Sequence, residues 1–142
     1  MSELQIVRSY TKGVALANRK VALVASLVRG RRVDDSLVIL AHTPKRAALC
    51  VKKAIESAKA NAVNDHGLNA KTLIIKTLSV TSGTRLKRFV PASRGRALPF
   101  EKKTSNILVE VIGELKPKKS AAKQTIGVKS SVTKTTVKKE DK

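Results

Sequence analysis

The sequence predicts an α+β domain: three helices packed on a small three-stranded β-sheet, with a long protruding β-hairpin and a disordered basic C-terminal tail. Three observations carry this prediction. Apolar residues at Ala47, Ala48, Val51, Ala54, Ile55, Ala58 and Ala62 keep the helical period. Two β-branched stretches, Leu73–Val80 and Ile107–Ile112, read as strands. Between them lies "LKRFVPASRGRALPFEKK", residues 86 to 103, a basic segment punctuated by Pro91, Gly95 and Pro99. Two strands flanking such a middle form a hairpin, here spanning about 80–105.

The remaining elements follow in chain order. Residues 4 to 16 form a strand in which Leu4, Ile6, Val14 and Leu16 alternate with polar or small neighbours. A helix runs from about Asn18, its candidate cap, to Arg29, with Val21, Val24 and Val28 on one face joined by Leu23 and Leu27. Gly30 stops it. A short helix follows Val33, capped by Asp34 or Asp35, with Leu37, Val38 and Leu40 inward. The long helix opens at Thr43-Pro44, a good cap followed by a residue that needs no N–H there, and ends near Asn64-Asp65-His66-Gly67. Residues 1–112 make one domain. The segment 113–142 carries nine Lys, three acids and little clustered apolar content, so it is expected to be disordered.

Composition narrows the function. Thirty Lys and Arg stand against ten Asp and Glu in 142 residues, a formal charge of +20. A compact chain with that charge repels itself, and a polyanion is the usual remedy. Only Tyr10, Phe89 and Phe100 are aromatic, so the core is aliphatic. Cys50 is alone, which excludes an internal disulfide and a cysteine-based zinc site. The opening MSELQIVRSYTK has no apolar core of a signal peptide, and no apolar run approaches the ~20 residues of a membrane span. A soluble intracellular protein without a membrane partner is expected.

The charge is patterned. No carboxylate occurs between Asp65 and Glu101, whereas Lys71, Lys76, Arg85, Lys87, Arg88, Arg94 and Arg96 do. A turn centred near Arg94-Gly95 puts Phe89 opposite Phe100 and Arg88 opposite Glu101. Pro91 and Pro99 each remove a ladder donor, so loosely paired distal arms are expected. An isolated ribbon is marginal in water, and like charges along its arms make it worse. It requires a partner that neutralises charge along its length. Arg suits phosphate through its planar fork. The two Phe stack on bases, enter a groove or pair with each other.

Three stretches resemble one known family. "RKVALVASLVRGRRVDDSLVIL" matches the first two helices of the universal large-subunit ribosomal protein number twenty-two in its bacterial form, including Arg19, Lys20, Arg29 and Gly30. "TPKRAALCVKKAIESAKANAVNDHGL" resembles its long helix and following loop. "LKRFVPASRGRALPFEKKTSNILVEV" resembles its signature through Lys87, Arg88, Pro91, Gly95, Arg96, Ala97, Lys102, Thr104, Ser105 and Ile107. The resemblance covers about residues 11 to 112. Ala92 stands where the family carries a basic residue, and Asn106 where it carries His.

The resemblance implies a cytoplasmic, ribosome-bound structural protein of the large subunit. Its hairpin would penetrate ribosomal RNA and help line the nascent-peptide exit tunnel. Hairpin contacts to RNA fall on Arg85, Lys87, Arg88, Arg94, Gly95, Arg96, Lys102 and Lys103. The tunnel-lining tip falls on Val90, Pro91, Ala92, Ser93, Arg94, Gly95, Arg96 and Ala97. Arg19, Lys20, Arg29, Arg31, Arg32 and Lys45 would dock the globular part, mostly on phosphates. The implied partners are large-subunit ribosomal RNA, neighbouring ribosomal proteins and the nascent peptide, with no cofactor and no homo-oligomer.

Two other classes compete. A free architectural DNA-binding protein would use the Pro-bearing basic arm as a minor-groove wedge; co-sedimentation with large subunits rather than DNA separates the two. An RNA-acting enzyme has little to stand on. His42 and His66 lack a carboxylate constellation, Cys50 sits in an apolar helical stretch, and no phosphate-binding loop or metal spacing appears.

Overall fold

The computed structural model describes residues 4–116. The order is β1 (Leu4–Val14), α1 (Asn18–Val28), α2 (Val33–His42), α3 (Arg46–Asn64), a 3-10 turn (Ala70–Thr72), β2 (Ile74–Pro91), a second 3-10 turn (Ser93–Gly95) and β3 (Ala97–Glu114). The three strands form one antiparallel sheet in the order β1-β3-β2. The helices cover one face of it. The expected α+β architecture, with three helices on three strands, is therefore present.

The core is aliphatic. Val21, Val24, Ala25 and Val28 of α1 and the full Ala47–Ala62 stripe of α3 meet Ile75, Leu78, Ile107, Val109 and Val111 of the sheet. The alanines let α3, about 28 Å long at 1.5 Å per residue, lie close to the strands. Ser9 Oγ donates to Ser57 Oγ at 3.2 Å and ties β1 to α3.

Several local expectations are corrected. In β1 the buried positions are Val7, Ser9 and Val14; Ile6 and Tyr10 face outward. A register shift between Thr11 and Val14 reverses the parity. There Gly13 adopts φ 70° and its N–H donates to Asn106 Oδ1 at 3.0 Å. Ile6, Ile112 and Ile74 thus form a row on the open face, beside the Arg8–Glu110 ion pair at 2.8 Å. On the helices, Leu23 and Leu27 of α1, which lies over the sheet, and Val38 of α2, which packs against α3, are exposed rather than inward, because each short helix buries only a narrow stripe.

The helix caps also differ. Asn18 is the first residue of α1; Ala17 precedes it as cap, and Asn18 Nδ2 donates instead to Ser82 Oγ at 3.1 Å. Arg32 caps α2, so Asp34 and Asp35 act from its first turn, where carboxylates favour the positive helix end. Thr43 does not cap α3. Its N–H donates to Leu40 O, and its Oγ1 donates to Ile39 O at 2.8 Å, so it closes α2. Pro44 then lies between the helices and α3 begins at Arg46.

Both hairpin strands are longer than the sequence indicates. β2 and β3 each run 18 residues, continuing the sheet into the hairpin without a break in the chain. At the other end β3 continues through Gly113 and Glu114, Leu115 bridges Leu68, and Lys116 N–H donates to Gly67 O at 3.1 Å. The folded part therefore passes the expected limit at 112. The remainder of the expected disordered tail lies outside the described residues.

Candidate nucleic-acid interface

The hairpin leaves the body at Ser82. From Thr84 to Lys103 every residue except Ala92 is exposed. The arm from Ser82 to Pro91 reaches roughly 33 Å at about 3.3 Å per residue. Its base is irregular: the β2–β3 register shifts between Ser82 and Arg85, where Thr104 Oγ1 donates to Thr84 O at 2.7 Å.

The turn lies where the sequence places it, but the register is one residue different. Leu86 pairs with Lys102, Lys87 with Glu101, Arg88 with Phe100, Phe89 with Pro99, Val90 with Leu98 and Pro91 with Ala97. Arg88 is therefore not opposite Glu101, and Phe89 is not opposite Phe100. The physical reason is the loop. Arg94 and Gly95 both take left-handed conformations, φ 57° and 69°. The Ala92 N–H donates to Arg96 O at 2.8 Å. Three residues between Ala92 and Arg96 centre the turn on Arg94 itself. A non-glycine residue held left-handed costs on the order of 1 kcal/mol.

This closing bond also explains the prolines. Antiparallel pairs alternate between hydrogen-bonded and non-hydrogen-bonded. Since Ala92 and Arg96 are hydrogen-bonded, Pro91–Ala97 and Phe89–Pro99 are the non-bonded pairs. Neither proline removes a ladder bond. The arms stay paired to the tip, contrary to the loose pairing expected, and the prolines instead leave the hairpin's outer edges without two donors.

Directly opposed residues share a face. One face carries Arg85, Lys87, Phe89, Pro91, Ala97, Pro99, Glu101 and Lys103. The other carries Leu86, Arg88, Val90, Leu98, Phe100 and Lys102. Each face thus presents one phenyl ring with cations beside it, and Phe89 is 72% exposed. Arg85 meets Glu101 at 3.8 Å, an exposed pair worth little. Arg88 Nη1 donates to Lys87 O at 2.8 Å. Among the described residues Lys87, Arg88, Arg94, Arg96, Lys102 and Lys103 have no carboxylate within ion-pair distance.

The globular candidates fall into two groups. Arg19, Lys20 and Lys45 lie near the hairpin base, at the starts of α1 and α3. Arg29, Arg31 and Arg32 lie past the far end of α1, where Gly30 at φ 71° lets the chain run beside β2. There Gly30 N–H donates to Ile75 O, and Ile75 N–H to Arg31 O, at 3.1 and 3.0 Å. Arg29 is partly committed to the fold, because its Nε donates to Leu78 O at 2.9 Å. Sequence reasoning missed Arg46, which lines one hollow with Lys20 and Lys45. A signal existed: the first turns of α1 and α3 hold cations and no acid, against the helix dipole.

Among the described residues no group of three His, Cys, Asp or Glu forms a metal cluster, and no helix is long and apolar enough to cross a membrane. Cys50 is half-buried against the core.

Fold and charge together define a basic α+β domain with a protruding, cation-rich hairpin. The family model described as ribosomal protein L22p/L17e matches residues 9–112, and the chain belongs to this family. The large ribosomal subunit protein uL22 of Clostridium beijerinckii is 41% identical over 104 residues, 73% of this chain and 94% of the relative. Those of Clostridioides difficile and a Thermoanaerobacter species are 40% and 42% identical over the same shares. Membership makes the chain a structural, non-enzymatic constituent of the large ribosomal subunit. It removes the ground for a free DNA-binding protein.

Proposed function

We propose that the chain binds large-subunit ribosomal RNA along both faces of its hairpin, supports subunit assembly, and lends its tip to the wall of the nascent-peptide exit tunnel. The observation that carries this is the arm itself. It stands clear of the body, each face offers a ring and cations, and six of its cations lack carboxylate partners among the described residues. Such a rod is satisfied by walls of RNA on both sides, with phosphates on Lys87, Arg88, Arg96, Lys102 and Lys103 and bases on the phenyl rings. Arg85 contributes after release from Glu101. Gly95 allows the turn, and Arg94 projects beyond it.

The body adds Arg19, Lys20, Lys45 and the Arg31–Arg32 pair as further phosphate contacts, with Arg29 shared between fold and RNA. The tip from Val90 to Ala97 would face water and the nascent peptide. Neighbouring ribosomal proteins are the further partners, and the chain enters as one copy.

The test is site-specific photocrosslinking in assembled subunits. Crosslinkers at Lys87 and Lys102 should capture ribosomal RNA, and one at Ala92 should capture a stalled nascent chain. RNA capture without any nascent-chain capture would remove the tunnel role; failure of both would remove the RNA reading as well.

A further inference from the structure

The start of α3 and one flank of α1 enclose a hollow of about 470 Å³, lined by Leu16, Lys20, Leu23, Lys45, Arg46 and Ala47. Its size suits a small organic group. The wall is apolar, from Leu16, Leu23 and Ala47. The rim is cationic, from Lys20, Lys45 and Arg46. No acidic residue lines it, and none of the three cations has a carboxylate within ion-pair distance among the described residues. Leu23 is 67% exposed and separates this hollow from two smaller ones, which add Arg19 to the lining.

We infer that this hollow holds one unstacked nucleotide of single-stranded RNA, its base against Leu16, Leu23 and Ala47 and its phosphate on Lys20, Lys45 and Arg46. The inference rests on the RNA-binding reading and adds a base-holding site outside the hairpin. A nucleotide carries a flat, weakly hydrated face and an anion at a fixed short separation, which is the arrangement of wall and rim. Duplex RNA keeps its base faces stacked and offers only the anion. An acidic helical peptide needs a groove long enough for anchors over two turns, and a wall of three side chains is too short for that.

The test uses the full chain, nitrogen-labelled throughout so that Lys and Arg amides report and with labelled Leu and Ala methyl groups, titrated by NMR. The probes are single-stranded hexaadenylate, a short RNA duplex and polyaspartate. Hexaadenylate should produce ring-current shifts at Leu16, Leu23 and Ala47, whereas the duplex and polyaspartate should move only the Lys20, Lys45 and Arg46 signals. Silent methyls with shifted Arg88 and Arg94 signals would overturn the nucleotide site and leave the RNA reading standing. Silence at the hairpin as well would overturn both. Equal methyl shifts with polyaspartate would overturn it in favour of an acidic protein segment. Leu23→Gln, at an exposed position, should weaken hexaadenylate binding roughly five-fold, as losing a few tens of Å² of apolar contact does, with an unchanged salt slope. Unchanged affinity would overturn the site.

Discussion

Phe89 and Phe100 stand on opposite faces of the hairpin: Phe89 is paired with Pro99, and Phe100 with Arg88. They are close along the chain's path yet cannot touch through the ladder. Each ring is therefore free for a separate wall of the partner.

Their replacement by Ala should consequently be additive in RNA affinity, within about 0.3–0.5 kcal/mol. A double-mutant cycle measures this. A coupling near 1 kcal/mol, typical of paired aromatics, would contradict the opposed placement.

Free and committed arginines should separate by salt dependence. Arg94→Ala and Arg96→Ala should each lower the log–log salt slope of RNA binding by about 0.7–0.9, with little change in melting temperature. Arg29→Ala should cost about 1 kcal/mol of stability, because it leaves Leu78 O without its donor. Glu101→Gln should tighten RNA binding, since it releases Arg85.

Proline tolerance should alternate along the arm. Pro99→Ala leaves the ladder intact and should leave amide exchange at Arg88 and Val90 unchanged. Leu98→Pro removes a bonded donor opposite Val90 and should accelerate exchange through the distal arm. In the free protein, residues 84 to 100 should exchange faster than 46 to 60, because no body contact covers the arm. Equal protection would count against a free-standing hairpin.

The hairpin base offers two opposite stability changes. Ser105 is fully buried and its Oγ has no hydrogen-bond partner, so Ser105→Ala should stabilise by roughly 1 kcal/mol. A Cβ at Gly83 would lie 2.5 Å from Thr104 Oγ1, so Gly83→Ala should destabilise by about 1–3 kcal/mol. Thr104→Ala should partly rescue it. Urea titrations check all three.

The sequence by itself determined the features that depend on local period and composition. The alanine stripe of α3 is buried as read, because a helix repeats its face every 3.6 residues whatever lies beside it. The charge, the acid-free stretch and the turn at Arg94-Gly95 were equally legible, and so was the family signature. Tertiary structure decided what depends on counting across space. Ile6 points out because the bulge at Gly13 and the cover over Val7 set the parity of β1. Thr43 closes α2, so it cannot open α3. Leu23 and Leu27 flank a stripe that the sheet contacts only along one line. The hairpin register turns on one residue, since the number of residues in its loop fixes which side chains share a face, and every position beyond inherits that choice.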